Sequence, residues 1–206
     1  MLKLVINIDI EDGARIGYSI ILAHKTHLGV NARIGHLCIC KAIDELYLDD
    51  YAKIGTKNYI TGFSLNDPLV VKHKHFAHVE DRKGVLRIGK QSAITSRHYF
   101  DCNGGIFIGD FCEIAGFETA FMTHSIDLKN NRQDAGPIRI GDYSFIGARC
   151  LLLMNSAVPS HSIIGANSMV NKKLMAEYTL YAGSPAKPIK DVHDYMFFSR
   201  ETGFVK

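Results

Sequence analysis

The sequence predicts an all-β chain wound into one long β-helix, and three regularities predict it. Apolar residues recur every six positions, a glycine often follows the apolar residue, and a small residue often stands two positions before it. Neither the helical period of 3.6 nor the strand period of 2 generates this spacing. A coil does: each step of six makes one short strand and one corner, and the large residues stack in rows that only neighbouring coils can bury.

The apolar row opens with Leu4, Ile10, Ile16, Leu22, Leu28, Ile34 and Cys40. After a slip of two residues it resumes at Leu48, Ile54 and Ile60, then runs through Ile88, Ile94 and Phe100, and through Ile108, Ile114, Ala120 and Ile126. The last run is Ile140, Ile146, Leu152, Val158, Ile164 and Val170. Gly17, Gly29, Gly35, Gly55, Gly89, Gly109, Gly141, Gly147 and Gly165 follow row residues, where a repeating corner favours free backbone dihedrals. The small position holds Ala14, Ala32, Ala52, Ser92, Ser144, Ser156, Ser162 and Ser168, and also Cys38, Cys112 and Cys150, which gives these three thiols a packing role.

Composition agrees with an ordinary globular core: 206 residues, 47% hydrophobic and 22% charged. A net charge of +3 without a run of like charges argues against nucleic-acid binding. There is no apolar stretch long enough to insert in a membrane, and MLKLVINIDI lacks the form of a secretory signal. Five cysteines, an odd number, suit a reducing compartment, so a cytoplasmic location is expected.

The row is interrupted in two places, about 61–87 and 122–137, and insertions in a repeat are where loops and chemistry are expected. The first interruption carries His73, His75 and His78 at a spacing that can hold zinc, although no fourth ligand accompanies them and a solvated polar loop reads equally well. The second, MTHSIDLKNNRQDAGP, carries His124 among Thr123, Ser125 and Asp127, with Asn131 and Arg132 beyond; Asp101 and Asn103 stand roughly one coil earlier. If the row continues through Ile126, His124 falls on a small position that cannot pack an imidazole, so its ring is expected to leave the row. Cys102 has no base beside it in sequence, which argues against a nucleophilic thiol at that position.

IRIGDYSFIGARCLLLMNSAVPSHSIIGANSMVNKKL and the closing YAGSPAKPIK resemble the hexapeptide-repeat acetyltransferases, which are left-handed parallel β-helices. The likeness is strongest to sugar O-acetyltransferases of the capsule and lipopolysaccharide type. With three hexads to a coil, as in that family, the 23 row positions give roughly seven to eight coils over residues 1–190, followed by a tail at 191–206 that can form a short helix and either caps the open end of the coil or packs on a neighbour. The resemblance implies acetyl-CoA as acyl donor without a metal, a sugar or polysaccharide hydroxyl as acceptor, and a homotrimer with its sites between subunits. It implies His124 as general base, the Ala148 backbone N–H as oxyanion donor, and Ala148, Ala166, Asn171, Lys187 and Lys190 along the cofactor.

HYFDCNGG resembles a hairpin on the acceptor side, which makes Asp101 and Asn103 candidates to bind sugar hydroxyls together with Asn131 and Arg132. Asn-Gly-Gly is equally a turn signal. Thr123 and Ser125 flank the histidine where the galactoside and maltose enzymes have Gly and Pro, which leaves the acceptor open. Serine or aminosugar N-acetylation on the same scaffold, and a non-catalytic or metal-binding β-helix, are the alternatives.

Overall fold

The computed structural model describes residues 7–205, so Leu4 lies outside the described residues. Three parallel sheets, A, B and C, hold seven, nine and seven strands. The chain visits them in turn, as in Lys25–Leu28 of A, Arg33–Ile34 of B and Ile39–Lys41 of C. Each strand pairs in register with the strand one coil away, so Ile34 lies over Ile54 and Ile54 over Ile94. Seven such coils form a three-sided prism. Thr179–Ala182 then begins an eighth on sheet B, and Lys187–Asp191 turns back on it antiparallel. No helix among the described residues is long and apolar enough to cross a membrane.

The rows are the core. Ile34, Ile54, Ile94, Ile114, Ile146 and Ile164 of sheet B are at most 3% exposed, and each such side chain contributes about 1.5–3 kcal/mol by leaving water. The predicted row fails at its start and at the second interruption. Ile10 and Leu22 lie in the first described coil and are exposed; Ile21, which pairs with Cys40, turns inward in place of Leu22. Phe121, stacked on Phe100 with ring centroids 4.8 Å apart, takes the inner place predicted for Ala120, and Ile126 stands outside in a hairpin.

The row glycines do not supply the left-handed corner residue. That conformation falls two positions later, on Leu37 after Gly35 and on Lys57 after Gly55. The glycines serve close approach instead: a Cβ on Gly35 would lie 2.5 Å from the Gly55 carbonyl oxygen of the next coil. The small positions tie coil to coil as well as filling space. The Cys38, Cys112 and Cys150 thiols reach the carbonyls of Gly55, Gly141 and Gly165 at 3.1–3.2 Å, and the Ser92 hydroxyl reaches that of Gly109 at 2.6 Å.

Both insertions, 62–84 and 123–137, leave from the corner between sheets C and A, in the coils before and after the turn at 102–105. The first contains a helix, Pro68–His73, whose start is set by Asp67: its carboxylate accepts the Leu69 and Val70 N–H groups, and proline occupies the first turn. The second is an antiparallel hairpin of His124–Asp127 and Arg132–Ala135. The segment around Asp101 is not a hairpin: Tyr99–Asp101 is a parallel strand of sheet C, and the Asn-Gly-Gly turn carries the chain into sheet A.

The tail neither forms a regular helix nor closes the open end. A single 3₁₀ turn, Met196–Ser199, leads it back along the corner between sheets A and B. There Phe111, Tyr143, His161 and Tyr178, one from each coil, stack face to face, and Phe198 packs edge-on against His161 and Tyr178. Arg200 donates to the Phe111 carbonyl, and the Gly203 N–H reaches Gln91 at 2.9 Å.

Candidate active site

The C–A corner brings three consecutive turns together. Thr123, fully buried at the root of the hairpin, donates its hydroxyl to the Asp101 carbonyl at 2.6 Å and accepts the Gly104 N–H at 2.8 Å. This clamp sets His124 directly over Asp101 of the coil before. The buried Asp101 carboxylate accepts the His124 backbone N–H at 3.1 Å, the His124 Nδ1–H, and the Asn103 N–H at 3.2 Å. The Asn103 amide nitrogen also lies 3.0 Å from Nδ1, but a carboxylate can only accept, so Nδ1 carries its proton toward Asp101 and in the neutral ring the lone pair is on Nε2. The imidazole side chain is 30% exposed, against 2% for Asp101.

Asp101 and Asn103 were expected to meet sugar hydroxyls, and the structure corrects this. Both are 2% exposed and committed to protein. Asn103 donates its amide to Asp101 and accepts the Phe63 N–H at 2.7 Å. The pair positions His124 from beneath, a role set by stacking of coils and not by neighbourhood in sequence.

The first insertion closes over the same spot. Arg82, nearly buried, donates to the carbonyls of Phe63 at 2.7 Å and Asn103 at 3.3 Å, and its guanidinium lies 4.7 Å from the centre of the Phe76 ring. Burial pulls its pKa down while Asp44 opposes the change. Phe76 presents an edge to His124, with centroids 6.3 Å apart, and joins Val70 and Ala135 in a small apolar cluster between the two insertions. Sequence reasoning missed Phe63, Phe76 and Arg82. Asp67-Pro68, a carboxylate before a proline, is the signal that could have found the helix in that insertion.

Asn131 and Arg132 lie exposed at the hairpin tip, where Arg132 Nε meets Asp127 at 3.2 Å. The three loop histidines do not assemble a metal site: His73 packs beside His75, His78 faces Asp134 at 3.5 Å, and no metal-ligating group of three or more His, Cys, Asp or Glu occurs among the described residues. Cys102 is fully buried, and burial pushes its thiol well above the ordinary range, which removes it as a nucleophile.

The remaining candidates lie elsewhere on the prism. Ala148 and Ala166 occupy successive turns of the B–C corner, joined by the Asn167 N–H to the Ala148 carbonyl at 2.9 Å. The Ala148 N–H has no hydrogen-bond acceptor among the described residues. Asn171 follows the last strand of sheet C and is exposed; Lys187 and Lys190 are exposed on the final strand of sheet B, with Lys190 Nζ 5.3 Å from the Tyr195 ring centre. Within one chain, His124 and the two alanines therefore sit on the opposite edges of sheet C.

No protein-family profile matches the chain. A Staphylococcus aureus (strain COL) protein bearing the name "Putative acetyltransferase" is 31% identical over 113 residues, which cover 52% of this chain and 55% of that protein. The chain thus spans about half the length of that curated relative. A hexapeptide-repeat acetyltransferase of Vibrio cholerae, solved with acetyl coenzyme A, is similar at 30% identity and TM-score 0.50, over 53% of this chain and 61% of that one. A polysialic acid O-acetyltransferase shares the fold over 90% of this chain and 84% of its own, with TM-score 0.64 at 16% identity.

Proposed function

We propose that this chain, a left-handed parallel β-helix of the hexapeptide-repeat acetyltransferase kind, moves an acetyl group from acetyl-CoA to a sugar hydroxyl, with His124 as general base. The observation that carries the reading is the His124–Asp101 pair. A buried carboxylate that fixes Nδ1–H leaves Nε2 as the only basic nitrogen, and that ring is half-buried, open in part to solvent at a corner walled by two insertions. A hydroxyl is a poor nucleophile at neutral pH, and an imidazole held in this tautomer can take its proton.

In the proposed step the acceptor oxygen bonds to the thioester carbonyl carbon as its proton passes to His124 Nε2. The tetrahedral oxyanion then collapses, the carbon–sulfur bond breaks, and the departing thiolate recovers the proton from the imidazole. The Ala148 N–H, lacking an internal acceptor, suits the oxyanion, where one donor contributes about 10²–10³ in rate. Ala166 and Asn171 would flank the pantetheine arm, and Lys187 and Lys190 would meet the phosphates.

A site shared between subunits of a homotrimer reconciles these positions with His124. Sheet C, which separates the two corners, has an apolar outer column in register: Ile20, Ile39, Tyr59, Tyr99, Ala120, Leu151 and Met169. Packing that face on a second copy would bring the B–C corner of one chain to the C–A corner of another.

Acetyl-CoA turnover against a panel of sugars, aminosugars and nucleotide sugars tests the reading and separates O- from N-acetylation. His124→Ala is expected to lower turnover by at least about a hundredfold while acetyl-CoA affinity persists. Near-normal transfer by that variant would overturn the assignment.

A further inference from the structure

The two insertions enclose a groove of about 360 Å³ beside the His124 corner, within the roughly 300–1,000 Å³ typical of small-ligand sites. Its polar walls are His73, Lys74, His75 and His78 from the first insertion and Asn131 and Arg132 from the hairpin. Phe76 lines the groove and packs against the His124 ring, and Ile126, two residues beyond His124 on the same strand, lines it as well, so the groove adjoins the candidate base.

The charge of this groove is one-sided. No carboxylate lines it. The two nearest in the hairpin are engaged: Asp127 by Asn130 and Arg132, and Asp134 by His78. His73, Lys74 and His75 have no acidic partner among the described residues, which leaves the Lys74 ammonium and two imidazole rings as hydrogen-bond donors facing open space. An anion placed there accepts a charge-assisted hydrogen bond from the Lys74 ammonium and further hydrogen bonds from the imidazole N–H groups, with no carboxylate in the wall to repel it.

We infer that this groove selects an anionic sugar acceptor, holding its carboxylate or phosphate groups on Lys74, His73 and His75 while a hydroxyl of the same molecule reaches His124. The inference rests on the acetyl-transfer reading and names its substrate class. The groove owes its charge to the 62–84 insertion, which the prism does not need for its own core.

Binding to the His124→Ala chain, measured without turnover, tests this separately from the chemistry. Three probes are compared at low and high salt: an oligogalacturonate, a nucleotide-diphosphate sugar, and neutral maltohexaose. The expected result is at least about tenfold tighter binding of one charged probe than of maltohexaose, weakened by salt. Which charged probe prevails assigns the anion as carboxylate or phosphate. Adding Lys74→Asn and His75→Gln should remove about tenfold of that preference, and asparagine tolerates the left-handed backbone of position 74, so the helix end is kept. Equal binding of neutral and charged probes, or a preference untouched by those substitutions, overturns the inference. If the unsubstituted protein transfers acetyl to no acceptor in the panel, the acetyl-transfer reading fails on its own evidence.

Discussion

At the scale of single residues, the proposed general-base role depends on which nitrogen of His124 carries the proton, and Asp101 is placed to decide that. Asp101→Asn keeps the size of the side chain but offers an amide that can donate to Nδ1, which would move the proton to Nε2 and remove the base. Turnover is expected to fall by about 10²–10⁴ with little change in the Michaelis constant for acetyl-CoA; steady-state kinetics with both substrates varied checks it. An unaltered rate would mean that the buried pair is structural only. His124 was legible in the sequence because it interrupts a row that cannot pack it. Its partner was not, since Asp101 is 23 positions away and meets it only because coils stack. Read alone, Asp101 and Asn103 look like ligand-facing polar residues, and burial reverses that reading.

At the scale of elements, the 62–84 insertion is a wall held by few bonds. Arg82 supplies three of them, to the carbonyls of Phe63, Ser64 and Asn103, and supports Phe76 through its ring face. Arg82→Met should leave those carbonyls short of donors, each hydrogen bond to a charged group being worth about 1.5–3 kcal/mol. The expected outcome is an insertion cut several times faster by chymotrypsin, with transfer to sugar reduced about tenfold and the prism intact by circular dichroism. An insertion as resistant as before would show that the apolar cluster of Val70, Phe76 and Ala135 suffices. The helix inside this insertion starts at an Asp67-Pro68 pair whose capping chemistry the sequence does carry, whereas its docking has no such mark, because a buried arginine that seeks main-chain carbonyls has no sequence signature.

At the scale of the whole molecule, the prism carries a buried histidine that ties three coils. The His98 backbone N–H donates to Asn58 at 2.8 Å, Nδ1 accepts the Thr119 N–H at 3.1 Å, and Nε2 donates to Thr95 at 2.9 Å. Burial holds its pKa down to about 4 from an ordinary 6.5. The unfolded chain therefore takes up the proton first as pH falls, and stability is lost between about 6.5 and about 4. Thermal midpoints should drop across that window by more in the parent than in His98→Gln; parallel curves would remove His98 from the acid response. The sequence by itself determined the coil, its interior rows and the two interruptions, because a six-residue period has one packing solution and a residue that breaks it must leave the core. Only the tertiary structure decided that both interruptions leave from one corner, that Asp101 lies under His124, that the tail returns along the A–B corner, and that sheet C separates His124 from Ala148. Those relations join residues one or more coils apart, and the repeat code is the same in every coil, so it carries no record of which corner a given turn will occupy.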